Sequence, residues 1–445
     1  MTLIQLLQFI LSISILVILH ELGHFIPAKL FRTKVEKFYL FFDPWFSLIK
    51  TKMRGTEYGI GWLPFGGYVK IAGMVDESMD TEQLKKPAEP WEFRAKPAWQ
   101  RLIIMLGGVT VNFFLAWAIY TCLSYFKGET YHANARFENG IAVTEAGEQM
   151  GLKTGDRILK IDGKPAERME TSTVNMLFAN EVTVLRDGKE VTFPVNEDGV
   201  AKVLAEDGAR AYFSPRFPVV ADSILPNSAA AAAGLMKGDR ITAVNGQPVR
   251  FFDEMTAELK KYSNQAVTLQ VERNGVQQEL KGKIDNEGKL GFAPDYAIAQ
   301  RTLDEAKVTQ QYSWAQAIPR GLTRTIDVLV MQVKQFKIIF NTKTQGYKKV
   351  SGPIGIIKQM PETINWEFFW GFTAMFSVWL AFLNLIPIPG LDGGHVMFTL
   401  WEIITGKPVP QKVLENAQMI GVLFLLGLMV LIFGNDIVKW ITGKF

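Results

Sequence analysis

Four stretches of the chain stay free of charged residues for long enough to cross a bilayer, which takes about 20 residues of helix. The first runs uncharged from Leu3 to Leu19 and continues through His20–Leu30. The second is Leu102–Phe126 and the third Phe368–Leu391, both uncharged throughout; the fourth is Ala417–Gly434. In hydrocarbon every backbone N–H and C=O must be paired within its own segment, so apolar runs of this length are expected as helices. The expected fold class is a membrane α-helical bundle of four transmembrane helices. The whole-chain hydrophobic fraction of 48% is ordinary, because polar segments between the runs dilute the signal.

The first run is expected to be retained rather than cleaved as a leader: no basic segment precedes it and no A-x-A site follows before Lys29. Basic residues set the orientation. Lys29, Arg32, Lys34 and Lys37 follow the first run, and Arg94, Lys96 and Arg101 precede the second, so 31–97 reads as cytoplasmic. The N-terminus, the region after Phe126 and the C-terminus then lie outside, with Lys439 and Lys444 a weak contrary signal. The net charge of +4 gives no case for nucleic acid as a partner; the lipid bilayer is the partner the composition implies.

Between the second and third runs the sequence repeats. Gly151-Leu-Lys-Thr-Gly155-Asp156-Arg-Ile158 with Ile161-Asp-Gly163-Lys-Pro165 returns as Gly234-Leu-Met-Lys-Gly238-Asp239-Arg-Ile241 with Val244-Asn-Gly246-Gln-Pro248, every position at one constant offset. A fixed offset of this size implies two copies of one domain. A Gly-Asp turn, a short apolar strand and a tight Asp-Gly or Asn-Gly turn are a β-rich pattern. It resembles the PDZ fold, an α+β domain that binds extended peptides or chain ends by adding a strand to a sheet edge. Spacers or size filters that hold no ligand are the other reading. The junction between copies falls in Pro194–Pro218. Beyond the repeat, Ile318, Leu322, Ile326, Leu329, Val330, Val333 and Phe336 recur at helical spacing beside Arg320, Arg324, Lys334 and Lys337, an amphipathic helix suited to a membrane interface or to packing on the second copy.

The lone cysteine, Cys122, excludes an intrachain disulfide and thiolate metal sites. Only four histidines are present, His20, His24, His132 and His395, and two of them fall in His20-Glu21-Leu22-Gly23-His24. On a helix, residues four apart share a face, so both imidazoles can reach one Zn2+ ion. Glu21 beside them can take a proton from the attacking water and pass it to the leaving nitrogen. Ionisable groups in a membrane helix are costly and need a reason. A structural zinc is the competing reading, but it has no use for Glu21 and favours four protein ligands. The third ligand is expected from Asp392, at the end of the third run in Asn384-Leu-Ile-Pro387-Ile-Pro389-Gly-Leu-Asp392-Gly393-Gly394-His395, where Pro and Gly break the helix. Asp392 could alternatively cap the helix that follows, and His395 could be an outer partner of the metal site or an ordinary helix-end histidine. His20 follows an uncharged run entering from outside, and Asp392 ends another that enters from the same side, so both fall near the same, cytoplasmic, depth.

With these motifs in this order the chain resembles the site-2 protease family of intramembrane zinc metalloendopeptidases. Further matching pieces are Gly66-Gly67-Tyr68-Val69-Lys70, Phe93-x-x-Lys96-Pro97-x-Trp99-Gln100-Arg101 and Ser351-Gly352-Pro353-Ile354-Gly355. The resemblance implies His20, His24 and Asp392 as zinc ligands and Glu21 as general base. It implies Asn384, with Pro387 and Pro389, as holding the unwound substrate or stabilising an oxyanion, and Glu57–Lys70, including Gly66, Gly67 and Tyr68, as a membrane-dipping β element that pairs with substrate backbone. Its substrates would be single-pass membrane proteins of the anti-sigma-factor type, already cut outside by another protease, with signal-peptide remnants as a further class. One departure is Gly108-Val109-Thr110-Val111-Asn112-Phe113, which lacks the proline the family often places after the glycine; the kink the resemblance would imply there loses its support, while the zinc site is untouched.

The expected organisation is a bundle with an inserted tandem pair of α+β PDZ domains: 1–30, first span; 31–97, cytoplasmic loop; 98–126, second span; 127–212 and 213–298, the PDZ-like copies; 299–365, amphipathic and connecting segment; 366–400, third span; 401–416, cytoplasmic loop; 417–440, fourth span. The enzyme is expected as a monomer in the bacterial inner membrane, its PDZ pair periplasmic. The rival class is a non-catalytic membrane PDZ scaffold, which would have no use for an acid next to two zinc ligands. A zinc transporter fits the broken third run less well.

Overall fold

The computed structural model describes residues 2–74, 87–205, 212–344, 346 and 350–442. Part of the expected cytoplasmic loop (75–86), the middle of the expected junction (206–211) and Lys444 lie outside the described residues. The chain forms two compact units, Met1–Gly128 with Gln311–Phe336 and Val350–Phe445, and Glu129–Gln310 with Lys337–Lys349.

In the first unit, four helices among the described residues are long and apolar enough to cross a membrane: α1 (Leu3–Leu30), α2 (Ala98–Lys127), Trp366–Leu385 and Gln411–Ile441. A capping box opens α1, with Thr2 and Gln5 each bonding the other's backbone N–H through a side-chain oxygen. The third apolar run does not stay helical to its end. Its helix stops at Leu385 and a new one begins at Asp392. Pro387 and Pro389 have no N–H to continue a helix, and a residue before proline is pushed out of the α region.

The spans pack through small residues, as membrane helices do when there is no water to drive them together. A Cβ at Gly23 would stand 2.4 Å from the Gly107 carbonyl oxygen, so α1 and α2 meet backbone to backbone. Ala116 and Ala374 are buried with Ile119, Tyr120 and Val378 between α2 and the third span. Ser12 and Thr373 share a hydroxyl hydrogen bond of 2.9 Å, and Ser377 donates to the Asn112 carbonyl at 2.7 Å. In the fourth span Asp436 is fully buried and accepts backbone N–H bonds from Gly352 (2.8 Å), Ile354 (2.9 Å) and Gly355 (3.3 Å) at the start of the short helix Pro353–Gln359. The expected amphipathic helix spans Trp314–Ile339. Its small residues Ala317 and Gly321 are buried, Gly321 against Thr121 of α2, while Ile318, Ile326, Val330 and Val333 face outward.

Between α1 and α2 lies a four-stranded sheet: β1 (Val35–Phe42), β2 (Ile49–Met53), β3 (Thr56–Ile60) and β4 (Leu63–Ile71), in the order β2-β3-β1-β4. β1 runs parallel to β3 and antiparallel to β4, with Tyr39 opposite Tyr68. β4 is therefore an edge strand.

The second unit contains the same topology twice. Lys189–Pro194, Glu181–Arg186, Arg157–Ile161 and Lys164–Pro165 form one sheet in that order; Val276–Lys283, Ala266–Arg273, Arg240–Val244 and Gln247–Pro248 form its counterpart. Each has its own apolar core, around Met150, Ile158, Met176 and Val184 in the first and Leu235, Ile241, Met255 and Leu269 in the second. Each also buries one carboxylate at its repeated Gly-Asp turn. Asp156 takes Arg186 and Asp239 takes Arg273, both at 2.7 Å, and the backbone N–H groups of Lys153 and Met236 complete the pairs at 2.8 Å. Phe213–Pro215 pairs with Ile141–Val143, and Phe292–Pro294 with Ala221–Ile224. The strand at 213–215 is thus tied to the first copy, whose core takes in Tyr212 and Phe213. The ends of the unit pair with each other, Glu129–His132 against Lys307–Gln310.

Candidate metal centre and its surroundings

α1 carries His20, Glu21 and His24 in its C-terminal half, and the break after Leu385 brings Asp392 back to them. The two imidazoles stand nearly perpendicular, 83° apart with ring centres at 4.9 Å. Their Nε2 atoms are 3.3 Å apart, and Asp392 Oδ2 lies 3.3 Å from each. Ligands arranged tetrahedrally at about 2.0–2.1 Å from zinc sit about 3.3–3.4 Å from one another. All three observed edges match that spacing, and Asp392 Oδ2 is buried without a hydrogen bond. His20, His24 and Asp392 thus lie close enough to hold one metal ion, and two imidazoles with one carboxylate are an open three-ligand set suited to zinc.

The cluster borders a cavity of about 710 Å³. Glu21 and Asn384 line it, as do Gly66, Gly67 and Tyr68 of β4. The Asn384 amide nitrogen is 3.1 Å from His20 Nε2, and the Glu21 carboxylate interacts with the backbone of Val69. β4 reaches the site because it has no side chain at Gly67, where a Cβ would stand 2.6 Å from Val17 Cγ1. Tyr68 stacks on Tyr39 at 5.3 Å and donates to Asp43 Oδ1 at 2.9 Å. Burial, and then the Asp43 carboxylate, push its hydroxyl above the usual phenol range, so it stays a donor.

The cavity therefore collects His20, Glu21, His24, Asp392, Asn384, Gly66, Gly67 and Tyr68, and His395 lines it too. Pro387 and Pro389 do not line it; they form the break that returns the chain to Asp392. His132 is elsewhere, paired with Glu170 at 2.6 Å in the second unit. Sequence reasoning missed Asp43, Ile104 and the role of Gly108. A Cβ at Gly108 would lie 2.4 Å from His24 Nε2 and 2.5 Å from His20 Cε1. Ile104 acts through its backbone oxygen, 2.8 Å from His24 Nδ1, which no side-chain pattern announces.

The sequence profile of peptidase family M50 matches residues 8–428. The chain belongs to this family, the site-2 protease type of zinc metalloendopeptidase. Among its relatives, regulator of sigma-E protease RseP of Escherichia coli (strain K12) is 30% identical over 97% of this chain and 98% of that protein. A Vibrio cholerae protein named as a zinc metalloprotease is 28% identical over 97% of this chain and 98% of its own length. The regulator of sigma E protease of Haemophilus influenzae is 27% identical over the same shares, 97% and 98%. With four helices long and apolar enough to cross a membrane and these relatives, the chain is a multi-pass membrane protein that uses zinc.

Proposed function

We propose that this chain hydrolyses a peptide bond within the transmembrane segment of single-pass membrane proteins of the anti-sigma-factor type, after a first cut outside, with signal-peptide remnants as a further class. The observation that carries this reading is the trio of 3.3 Å edges among His20, His24 and Asp392, set beside Glu21 at the wall of one cavity.

In this reading His20, His24 and Asp392 hold the zinc, which supplies Lewis-acid activation of the attacking water. Glu21 takes a proton from that water and delivers it to the leaving amide nitrogen. A transmembrane substrate hides its amides in its own hydrogen bonds, so it must unwind before attack. The edge of β4 around Gly66, Gly67 and Tyr68 offers backbone partners to the extended segment. Asn384 steadies the substrate carbonyl or the developing oxyanion, and Pro387 and Pro389 hold the loop that aims both Asn384 and Asp392. The centre lies toward the cytoplasm. The duplicated insert is a periplasmic PDZ pair that keeps substrates with bulky outer domains away, and the enzyme works as a monomer.

A tagged single-span substrate expressed with wild type and with Glu21→Gln tests this. The expected result is at least about a hundredfold loss of product, with the zinc content unchanged. Equal cleavage by the two proteins refutes it.

A further inference from the structure

Both imidazoles of the centre are held from behind by α2. His24 Nδ1 lies 2.8 Å from the Ile104 carbonyl oxygen, so its proton sits on Nδ1 and Nε2 is left to bind metal. About two helical turns on, Asn112 stands behind His20 in the same way, its side-chain amide 3.1 Å from His20 Nδ1. Asn112 is fully buried and its backbone oxygen is taken by Ser377. Its Oδ1 has no hydrogen-bond partner among the described residues, while Nδ2 is the atom that faces His20. A histidine that binds zinc through Nε2 carries its proton on Nδ1 and needs an acceptor there. Half a turn of the Asn112 amide exchanges two atoms of similar size and supplies that acceptor.

We propose that Asn112 is the positioning residue of His20: with zinc bound, its side-chain oxygen accepts the His20 Nδ1 proton and fixes the tautomer and the ring plane. The inference rests on the ligand assignment under the preceding heading. It differs from a helix-packing role, in which Asn112 would serve only to join α1, α2 and the third span.

The test uses the full chain in detergent micelles, as wild type, Asn112→Leu, Asn112→Asp and His20→Ala. Three quantities are read: zinc affinity by chelator competition, the visible spectrum of the Co2+-loaded protein, and thermal unfolding of the metal-free protein. Asn112→Leu should bind zinc about 10–100-fold more weakly and shift the cobalt bands, with little change in metal-free unfolding. Asn112→Asp, which keeps an acceptor, should bind zinc as tightly as wild type or tighter. Wild-type affinity and an unshifted cobalt spectrum in Asn112→Leu overturn the inference. So does an equal loss of affinity in both Asn112 variants accompanied by early unfolding. If His20→Ala binds zinc like wild type, the ligand assignment itself fails; if His20→Ala loses zinc while Asn112→Leu keeps it, only the role of Asn112 falls.

Discussion

The hydroxyl of Tyr68 donates to Asp43 Oδ1 at 2.9 Å, tying the strand that borders the cavity to the turn after β1. Asp43 also accepts from Ser47 at 2.9 Å, and Tyr39 beneath the Tyr68 ring bonds Glu57 at 2.7 Å, so the ring sits on a connected polar network. A hydrogen bond to a charged acceptor is worth about 1.5–3 kcal/mol. Asp43→Ala should therefore loosen Tyr68 and lower substrate turnover roughly tenfold or more, by the conversion of about 1.4 kcal/mol per decade. Zinc content should not change. Cleavage assays paired with metal analysis decide it; an Asp43→Ala enzyme as fast as wild type would remove Tyr68 from the account of substrate handling.

Gly108 should be intolerant of any side chain. A methyl group there would sit 2.4 Å from His24 Nε2, inside the space the imidazoles occupy. Gly108→Ala is expected to fold, since alanine suits a helix, yet to purify with well under one zinc per chain. Stoichiometric zinc in that variant would show that the two helices can part without dispersing the ligands.

How far the site can be read from sequence follows from which atoms do the work. His20, Glu21, His24 and Asp392 are visible because each carries a distinctive ionisable side chain just past the end of an uncharged run. The helix break at Pro387 and Pro389 is visible for the same reason, as proline has one backbone consequence. Asp43 carries no signal, being an ordinary acid in a loop, and Ile104 contributes only a carbonyl that every residue has. The end of the third helix at Leu385 and the strand Phe213–Pro215 are hard to place because apolar content extends past the former and only pairing with Ile141–Val143 reveals the latter.

The insert should be acid-labile in a defined direction. Burial works to raise the Asp239 pKa, but hydrogen bonds from Arg273 and from the Met236 N–H outweigh it and hold the carboxyl below its ordinary value. A carboxylate depressed in the folded state contributes stability that is present above its unfolded pKa of about 3.9 and is lost as pH falls through the folded one. Hydrogen exchange along Arg240–Val244 and Ala266–Arg273 should accordingly quicken below about pH 4. Arg273→Ala leaves the buried carboxylate without its ion-pair partner and should destabilise the second copy at neutral pH, read as faster exchange along the same strands. Unchanged exchange in that variant would contradict this.

Asp436 should govern how the segment 350–359 is held. Its carboxylate takes three backbone N–H groups at the start of a helix, an arrangement that favours negative charge. Asp436→Leu removes all three acceptor contacts within an apolar span. Protease nicking near Val350–Ile354 should rise several-fold in membranes, and Asp436→Asn, which keeps one acceptor oxygen, should fall between the two. A Leu variant no more easily nicked than wild type would mean that the other bonds suffice to hold the segment, those of Asn435 and Lys439 to the Val350 carbonyl and of Gln5 and Gln8 to the Met360 and Pro361 carbonyls.

Glu129 and Gln310 stand opposite each other in the short ladder that joins the two ends of the insert. Everything between them leaves and re-enters the chain at one place. For heredity, that makes the duplicated region a cassette: loss, exchange or multiplication of the codons between these two positions leaves the flanking chain ends one strand spacing apart.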